Sequence, residues 1–215
     1  ENENWKFWVL VGTLLFLSLI RLMNVKRFDE IMLSAFDLHT DFKAYSDKTG
    51  NYFMSNLGLF ITFILSVSLF ITALLENTHR LESSHFSWVF WQIAFVILVI
   101  YTSKILINLT IGTIFKMRSF STIVLFNTIM VNNILGVGLV FLNLFYVFID
   151  DDKMNGVISS LMLILVLVAV IYRVIKNMLM TTRIGRFQFI YIFLYLCALE
   201  ILPWLVVFKM FLNGW

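Results

Sequence analysis

Two ionisable residues lie deep within long apolar stretches of this sequence: Lys104 within residues 87–112 and Glu200 within residues 188–212. A charged side chain in lipid is costly, so such residues mark ion or proton pathways, or pair with each other and hold helices in register. On two helices their depths would differ by roughly 6 Å, a gap that long side chains close. We therefore predict that Lys104 and Glu200 form an ion pair or share a polar network. A proton or ion pathway and no contact at all are the alternatives.

Other polar side chains recur at helical spacing around Lys104. Tyr101 and Asn108 share its helix face, and Asn132 and Asn143 share one face of the following helix. In lipid, amide groups face protein because they need hydrogen-bond partners. The two stripes therefore predict either helix packing or a hydrated cavity. The predicted intramembrane polar network consists of Tyr101, Lys104, Asn108, Asn132, Asn143 and Glu200.

The segment after the second apolar run repeats carboxylate and imidazole groups every three residues, at Glu76, His79, Glu82 and His85. Such ligands suit di-iron sites, but those sites draw their ligands from several helices, whereas one short loop supplies all four here. We interpret the segment as a solvated loop, with these residues as weak metal candidates, and predict no cofactor. Common catalytic and nucleotide-binding motifs are absent from the sequence, so we predict that the protein is not an enzyme.

The composition of the sequence predicts the helices that position these residues. Of 215 residues, 60% are hydrophobic and only 13% charged, which is more apolar surface than a soluble domain of this size can hide. The sequence predicts an all-α integral membrane protein, a single transmembrane domain over 1–215 with about six crossings. A net charge of +3 without a basic face gives no reason to expect a nucleic-acid partner. The predicted transmembrane helices cover residues 5–23, 53–75, 87–112, 122–149, 156–175 and 188–212.

The connection between the first two crossings predicts one further helix, over residues 26–45. Its apolar residues recur at spacings of three and four, which builds one apolar stripe along a helix. We expect this amphipathic helix to lie flat at the cytoplasmic interface, either resting on the membrane or docking a partner. The stripe consists of Phe28, Ile31, Ala35, Leu38, Phe42 and Tyr45.

The distribution of basic residues predicts the orientation. Segments 21–52, 113–122 and 173–187 carry eleven lysines and arginines, whereas the segments on the alternate side carry four. Under the positive-inside rule, both termini are therefore expected on the periplasmic side. The tryptophans fit this orientation because all of them fall at helix ends assigned to that outer side, namely Trp5, Trp8, Trp88, Trp91, Trp204 and Trp215.

The end of the chain carries a recognisable pattern. Residues 189–203, which read FIYIFLYLCALEILP and are followed by Lys209, resemble the C-terminal signature of an uncharacterised integral membrane family of Bacteroidota, domain of unknown function 4271. Residues 21–28 are similar to the first loop of that family. The resemblance implies an inner-membrane location in a Gram-negative bacterium and carries no established activity. It singles out Glu200 and Pro203, and Pro203 also predicts a helix kink because it lacks a backbone N–H.

Three functions are compatible with these patterns. The leading hypothesis is a non-enzymatic inner-membrane subunit or scaffold of a larger envelope complex, with the lipid bilayer and other membrane subunits as partners. The alternative is a small transporter or proton-coupled channel that uses Lys104 and Glu200. A weaker third hypothesis is a membrane-embedded enzyme or cofactor carrier that uses His79 and His85 of the outer loop.

Overall fold

The computed structural model of the protein describes residues 4–23, 50–77, 86–114, 118–149 and 151–182, together with residues 25, 28 and 29. These residues are helical throughout their main segments and include no β-strand. The predicted sixth crossing, 188–212, and most of the predicted interfacial helix, 26–45, lie outside them. The five helices are α1 (Asn4–Met23), α2 (Gly50–Asn77), α3 (Phe86–Ile114), α4 (Arg118–Phe148) and α5 (Asp152–Thr182).

Each helix covers one of the predicted apolar runs, although α4 ends one residue before its run does, and α5 extends furthest beyond its run. The run covers residues 156–175, but α5 continues to Thr182. The prediction ended this helix at residue 175 and counted Arg173 and Lys176 in the basic segment 173–187. In the structure both residues lie inside α5 with their side chains buried. A charge ends an apolar run in the sequence, but it does not break the backbone hydrogen bonds of a helix.

The helices run antiparallel to their chain neighbours. The ammonium group of Lys6 on α1 lies 2.7 Å from a carboxylate oxygen of Glu76 on α2, and the rings of Trp5 and Phe90 lie 5.5 Å apart. The starts of α1 and α3 and the end of α2 therefore meet at one end of the bundle. We call this the tryptophan end because it holds the four described tryptophans, Trp5, Trp8, Trp88 and Trp91.

Helices α2 and α4 form the centre of the bundle. In α2 67% and in α4 61% of the apolar span is buried, against 17% to 22% in the other three helices. The two central helices approach closely at Gly136, where an added Cβ would lie 2.6 Å from the Cα of Phe63. Only glycine allows that approach without a backbone shift. Around this contact, the largest apolar core joins α2 to α3, α4 and α5 through residues such as Phe70, Ala94 and Met162.

The outward faces of α1, α3 and α5 are apolar. Large hydrophobic side chains such as Leu19, Phe95 and Val168 are more than half exposed. All five helices are long and apolar enough to cross a membrane. This surface is typical of a membrane protein and opposite to that of a soluble bundle, whose outward faces are polar.

Candidate functional site

Two cationic side chains of α5 are buried inside the bundle. Arg173 is 3% exposed and Lys176 is 1% exposed, and Asn177 beside them is 1% exposed. Spacings of three and four residues place all three on one face of the helix. The opposite face carries exposed Ile171 and Ile175. Charged groups within membrane helices face the interior in the same way, because lipid offers them no hydrogen-bond partner.

Side-chain amides of α4 form hydrogen bonds with two of these residues. Arg173 Nη1 donates to Asn132 Oδ1 at 3.3 Å, and Asn127 Nδ2 donates to Asn177 Oδ1 at 2.6 Å. Both bonds join α4 to α5 and lie within a single stretch of α4.

The neighbouring face of α4 makes the same kind of bond to α2. Asn133 Nδ2 donates to Asn56 Oδ1 at 3.1 Å, and Asn133 itself is fully buried. Three helices are therefore joined by side-chain hydrogen bonds at nearly the same depth. We call the group that makes up this region the polar cluster: Asn56, Asn127, Asn132, Asn133, Arg173, Lys176 and Asn177.

A cavity adjoins the polar cluster between α3 and α4. Its volume is about 20 Å³, enough for a single water molecule. Asn132 belongs to both sites, because its side chain lines the cavity and accepts the hydrogen bond from Arg173. We call it the α3–α4 cavity; its polar lining consists of Tyr101, Lys104, Asn108, Thr128 and Asn132.

A reciprocal contact joins α3 to α4 at Asn108, away from Asn132. The Ser121 hydroxyl lies within hydrogen-bond distance of both the Asn108 backbone carbonyl, at 2.7 Å, and Asn108 Oδ1, at 3.0 Å. In return, Asn108 Nδ2 donates to the Ser121 carbonyl at 3.4 Å. This contact joins the last part of α3 to the first part of α4 and fixes the orientation of the Asn108 amide.

The structure brings four of the six predicted network residues together: Tyr101, Lys104, Asn108 and Asn132 line the same cavity. Asn143 lies elsewhere. Its Nδ2 donates to the Ser66 carbonyl at 3.0 Å, beside a smaller cavity of about 10 Å³ near the tryptophan end.

The remaining predicted site residues, Glu200 and Pro203, lie outside the described residues. The pairing of Lys104 with Glu200 and the kink at Pro203 therefore stay predictions.

Of the metal candidates, only Glu76 is among the described residues. Both of its carboxylate oxygens accept hydrogen bonds from the Lys6 ammonium group at 2.7 Å. Within the described ranges, no group of three or more His, Cys, Asp or Glu side chains could hold a metal ion. His79, Glu82 and His85 lie outside those ranges.

Sequence reasoning missed most of the polar cluster. A usable signal was present, because Arg173, Lys176 and Asn177 follow helical spacing directly after an apolar run. Extending the run by two turns would have placed them on one helix face. The partners Asn56, Asn127 and Asn133 carry no comparable signal, since a sequence does not show which face of one helix meets which face of another.

The fold and the site define a bundle of membrane-length helices. A buried, positively charged polar region lies in the half of the bundle away from the tryptophan end. The chain belongs to the family described as Domain of unknown function (DUF4271), whose model matches residues 6–211. The match extends from α1 to well beyond α5 and confirms the resemblance drawn from residues 189–203. No curated protein and no solved structure matches this chain.

Proposed function

We propose that this chain is a multi-pass protein of a bacterial inner membrane, in Bacteroidota, with both termini on the periplasmic side. Five membrane-length helices support the membrane location. The tryptophan end supports the orientation: Trp8, Trp88 and Trp91 are 69%, 66% and 59% exposed there. Exposed indoles are typical of a membrane–water interface. With Arg173 and Lys176 left out because they lie within α5, nine lysines and arginines remain in the segments of the opposite end, against four on the alternate side.

Within that membrane, we propose that the protein is a small transporter or channel whose solute-facing part is the polar cluster. The burial of Arg173 and Lys176 carries this proposal. Removing a charge from water costs several kcal/mol per ion. The neutral amide pair of Asn127 and Asn177 already joins α4 to α5 without that cost. The two cations are therefore additional to what helix register requires, and intramembrane cations mark solute pathways.

The position of the site favours access from the side where α4 begins. Asn127 and Asn133 lie 9 and 15 residues into α4, which starts at Arg118, and so they reach roughly the middle of the helix. Beyond them, towards the tryptophan end, the centre of the bundle is filled by the apolar core around Leu139. In the proposed orientation, the polar cluster and the adjoining α3–α4 cavity form a half-channel that leads from the cytoplasmic side to mid-membrane.

Cysteine accessibility tests this half-channel. The chain has one cysteine, Cys197, so Cys197→Ser gives a background without thiols. In that background, we expect Thr128→Cys, at the α3–α4 cavity, to react with a small membrane-impermeant thiol reagent in inverted membrane vesicles. The matched control is Leu139→Cys, from the dry core of the same helix, which should stay unreacted. Equal protection of both cysteines on both sides of the membrane contradicts the proposal.

A different observation favours the subunit or scaffold as a second candidate. Thr102 and Ser103 lie exposed near the middle of α3, and the Thr102 hydroxyl bonds back to the Leu98 carbonyl at 2.8 Å. Small side chains of this kind allow another membrane helix to approach closely. The functional partner would then be a second membrane protein rather than a solute.

Cross-linking from this face separates the two candidates. Ser103→Cys, in the Cys197→Ser background, carries a short photo-activated cross-linker, and Val168→Cys on the exposed face of α5 is the control. The subunit candidate predicts a defined protein adduct from Ser103→Cys in native membranes and lipid adducts from the control. Lipid adducts from both positions contradict it.

A further inference from the structure

Helix α3 exposes a stripe of residues that runs along most of its length. Its members recur at alternating spacings of four and three residues, and every member is exposed. This spacing is typical of the seam between two helices that pack with a left-handed crossing. The stripe extends over about 32 Å of helix, close to the roughly 30 Å thickness of a bilayer core. We call it the α3 outer stripe: Gln92, Val96, Val99, Ser103, Leu106, Thr110 and Thr113.

The exposed stripe of α5 has the same spacing and a different composition. All of its members are valine, leucine or isoleucine, whereas the α3 outer stripe includes one amide and three hydroxyl groups. Lipid chains offer no hydrogen-bond partners, so the composition of the α5 stripe suits a lipid contact and that of the α3 outer stripe suits a contact with a further helix. The members of the α5 stripe are Val157, Leu161, Ile164, Val168, Ile171 and Ile175.

Ser103 carries the polar group of the α3 outer stripe that lies nearest the middle of the helix. Its hydroxyl donates to no acceptor within the part of the chain that the structure describes, whereas the Thr110 hydroxyl donates to the Leu106 carbonyl at 2.8 Å. The carbonyl four residues before Ser103, that of Val99, already accepts a hydrogen bond from the Thr102 hydroxyl at 3.0 Å. A hydroxyl without a partner is unfavourable in hydrocarbon, so Ser103 favours a hydrogen bond to a neighbouring helix.

The α3 outer stripe is complementary to itself. It carries no charge, and its amide and hydroxyl groups both donate and accept, so a second copy of the stripe brings neither repulsion nor unmatched groups. Copies of one chain have the same orientation in a membrane, so their α3 helices run parallel, and a twofold axis between them places each residue opposite its equivalent. The two Ser103 hydroxyls then form one hydrogen bond. Lys104 stays outside this contact because it lines the α3–α4 cavity.

We propose that the α3 outer stripe is the contact surface of a symmetric dimer, in which α3 packs in parallel against α3 of a second copy. This inference rests on the second candidate function, in which α3 meets another membrane helix, and it names that partner as the same chain. One helix per copy gives a contact smaller than the about 800 Å² per partner of a standard soluble complex. We therefore expect the dimer to form in the bilayer and to dissociate on dilution in detergent.

Disulfide cross-linking of the purified full-length chain in liposomes tests the dimer, because no other protein is present there. In the Cys197→Ser background, single cysteines are placed on the stripe by Val99→Cys, Ser103→Cys and Thr110→Cys. Oxidation with copper–phenanthroline joins two of them only where their Cα atoms come within about 7 Å. We expect a covalent dimer from each of the three variants.

The matched controls are Leu98→Cys and Leu109→Cys. Both leucines are exposed on α3, and each precedes a member of the stripe by one residue, which places it about 100° away around the helix. We expect the controls to give at most a small fraction of the dimer obtained from Val99→Cys and Thr110→Cys. Cross-linking that follows this period distinguishes a packed seam from random collision in the membrane.

A second measurement tests the role of the Ser103 hydroxyl. Energy transfer between two labelled populations of the chain, followed as lipid is added to the liposomes, gives the affinity of the dimer. We expect Ser103→Ala to lower this affinity by about threefold to tenfold, the effect of one hydrogen bond between membrane helices. Thr102→Val is the control, because the Thr102 hydroxyl bonds within its own helix, and it should leave the affinity unchanged.

Equal disulfide yields on and off the stripe, or no dimer from any position, overturn the inference. If the liposomes give no dimer and Ser103→Cys cross-links to a different protein in native membranes, the partner is not a second copy and the second candidate function stands. Lipid adducts alone contradict both. Thiol access to the half-channel is measured separately and tests the transport proposal whether or not a dimer forms.

Discussion

The two halves of this bundle satisfy most of their buried polar groups in different ways. In the half that contains the polar cluster, amides and a guanidinium group bond from one helix to the next, as between Asn127 and Asn177. In the half nearer the tryptophan end, most buried hydroxyls on α2 bond within their own helix. Thr62, Ser66, Ser68 and Thr72 each donate to the backbone carbonyl four residues earlier.

The difference shows which interactions hold each half together. A hydroxyl that bonds to its own helix is satisfied whether or not a neighbouring helix is present. Association in that half therefore depends mainly on packing around residues such as Phe63, Leu139 and Met162. Asn143 and Tyr146 of α4 add one hydrogen bond each to backbone carbonyls of α2. In the polar half, each amide bond requires both helices in the correct register. Packing thus predominates in one half of the bundle, and hydrogen bonds between side chains of different helices predominate in the other.

The largest effect is expected at the border between the halves. Gly136 faces the backbone of Phe63, and an added Cβ would lie 2.6 Å from the Cα of that residue. Gly136→Val forces α2 and α4 apart and should destabilise the bundle by about 3 kcal/mol or more. Denaturant unfolding in detergent measures this loss.

Gly12→Val is the control for this variant, because nothing lies within 4 Å of a Cβ added at Gly12. Its stability should change far less. Equal effects of the two valines would show that α2 and α4 can separate without cost, and the packing account of the apolar half would fail.

The second prediction compares the two kinds of polar group directly. Asn133→Leu removes a bond between helices and leaves Asn56 Oδ1 without its donor, so we expect a loss of about 1–3 kcal/mol. Ser68→Ala removes only a bond within α2 and should cost less than about 1 kcal/mol. Both are measured by unfolding in the same detergent. A larger loss for Ser68→Ala would reverse the comparison.

Residues that share one helix could be grouped from the sequence better than residues on different helices, for physical reasons. Helical spacing was sufficient to group Tyr101, Lys104 and Asn108, because residues on one helix keep their relative positions. The same spacing added Asn143 to the stripe of Asn132, since both share a face of α4. Eleven residues separate them, which is about 16 Å along the helix axis, so a shared face did not mean a shared site.

Contacts between helices could not be predicted from the sequence. The pairing of Asn133 with Asn56 and of Arg173 with Asn132 depends on how α2 and α5 are rotated about their axes. Apolar runs fix the length of a helix but leave that rotation open, particularly where the run is apolar on all sides. The C-terminal signature at residues 189–203 was enough to recognise the family, and the family match over residues 6–211 confirms it. Membership of the family does not supply an activity.

The smallest effect is expected at the tryptophan end, where Lys6 and Glu76 form an ion pair. Their side chains are 14% and 27% exposed, so solvent screens part of the attraction. A double-mutant cycle with Lys6→Met and Glu76→Gln should give a coupling energy of about 0.5–1 kcal/mol. The coupling should fall as salt is raised, whereas the Asn133–Asn56 bond, which joins two neutral amides, should show no salt dependence. A coupling of several kcal/mol that is insensitive to salt would show that polar contacts between helices contribute as much at the tryptophan end as in the polar half, and the contrast between the two halves would no longer hold.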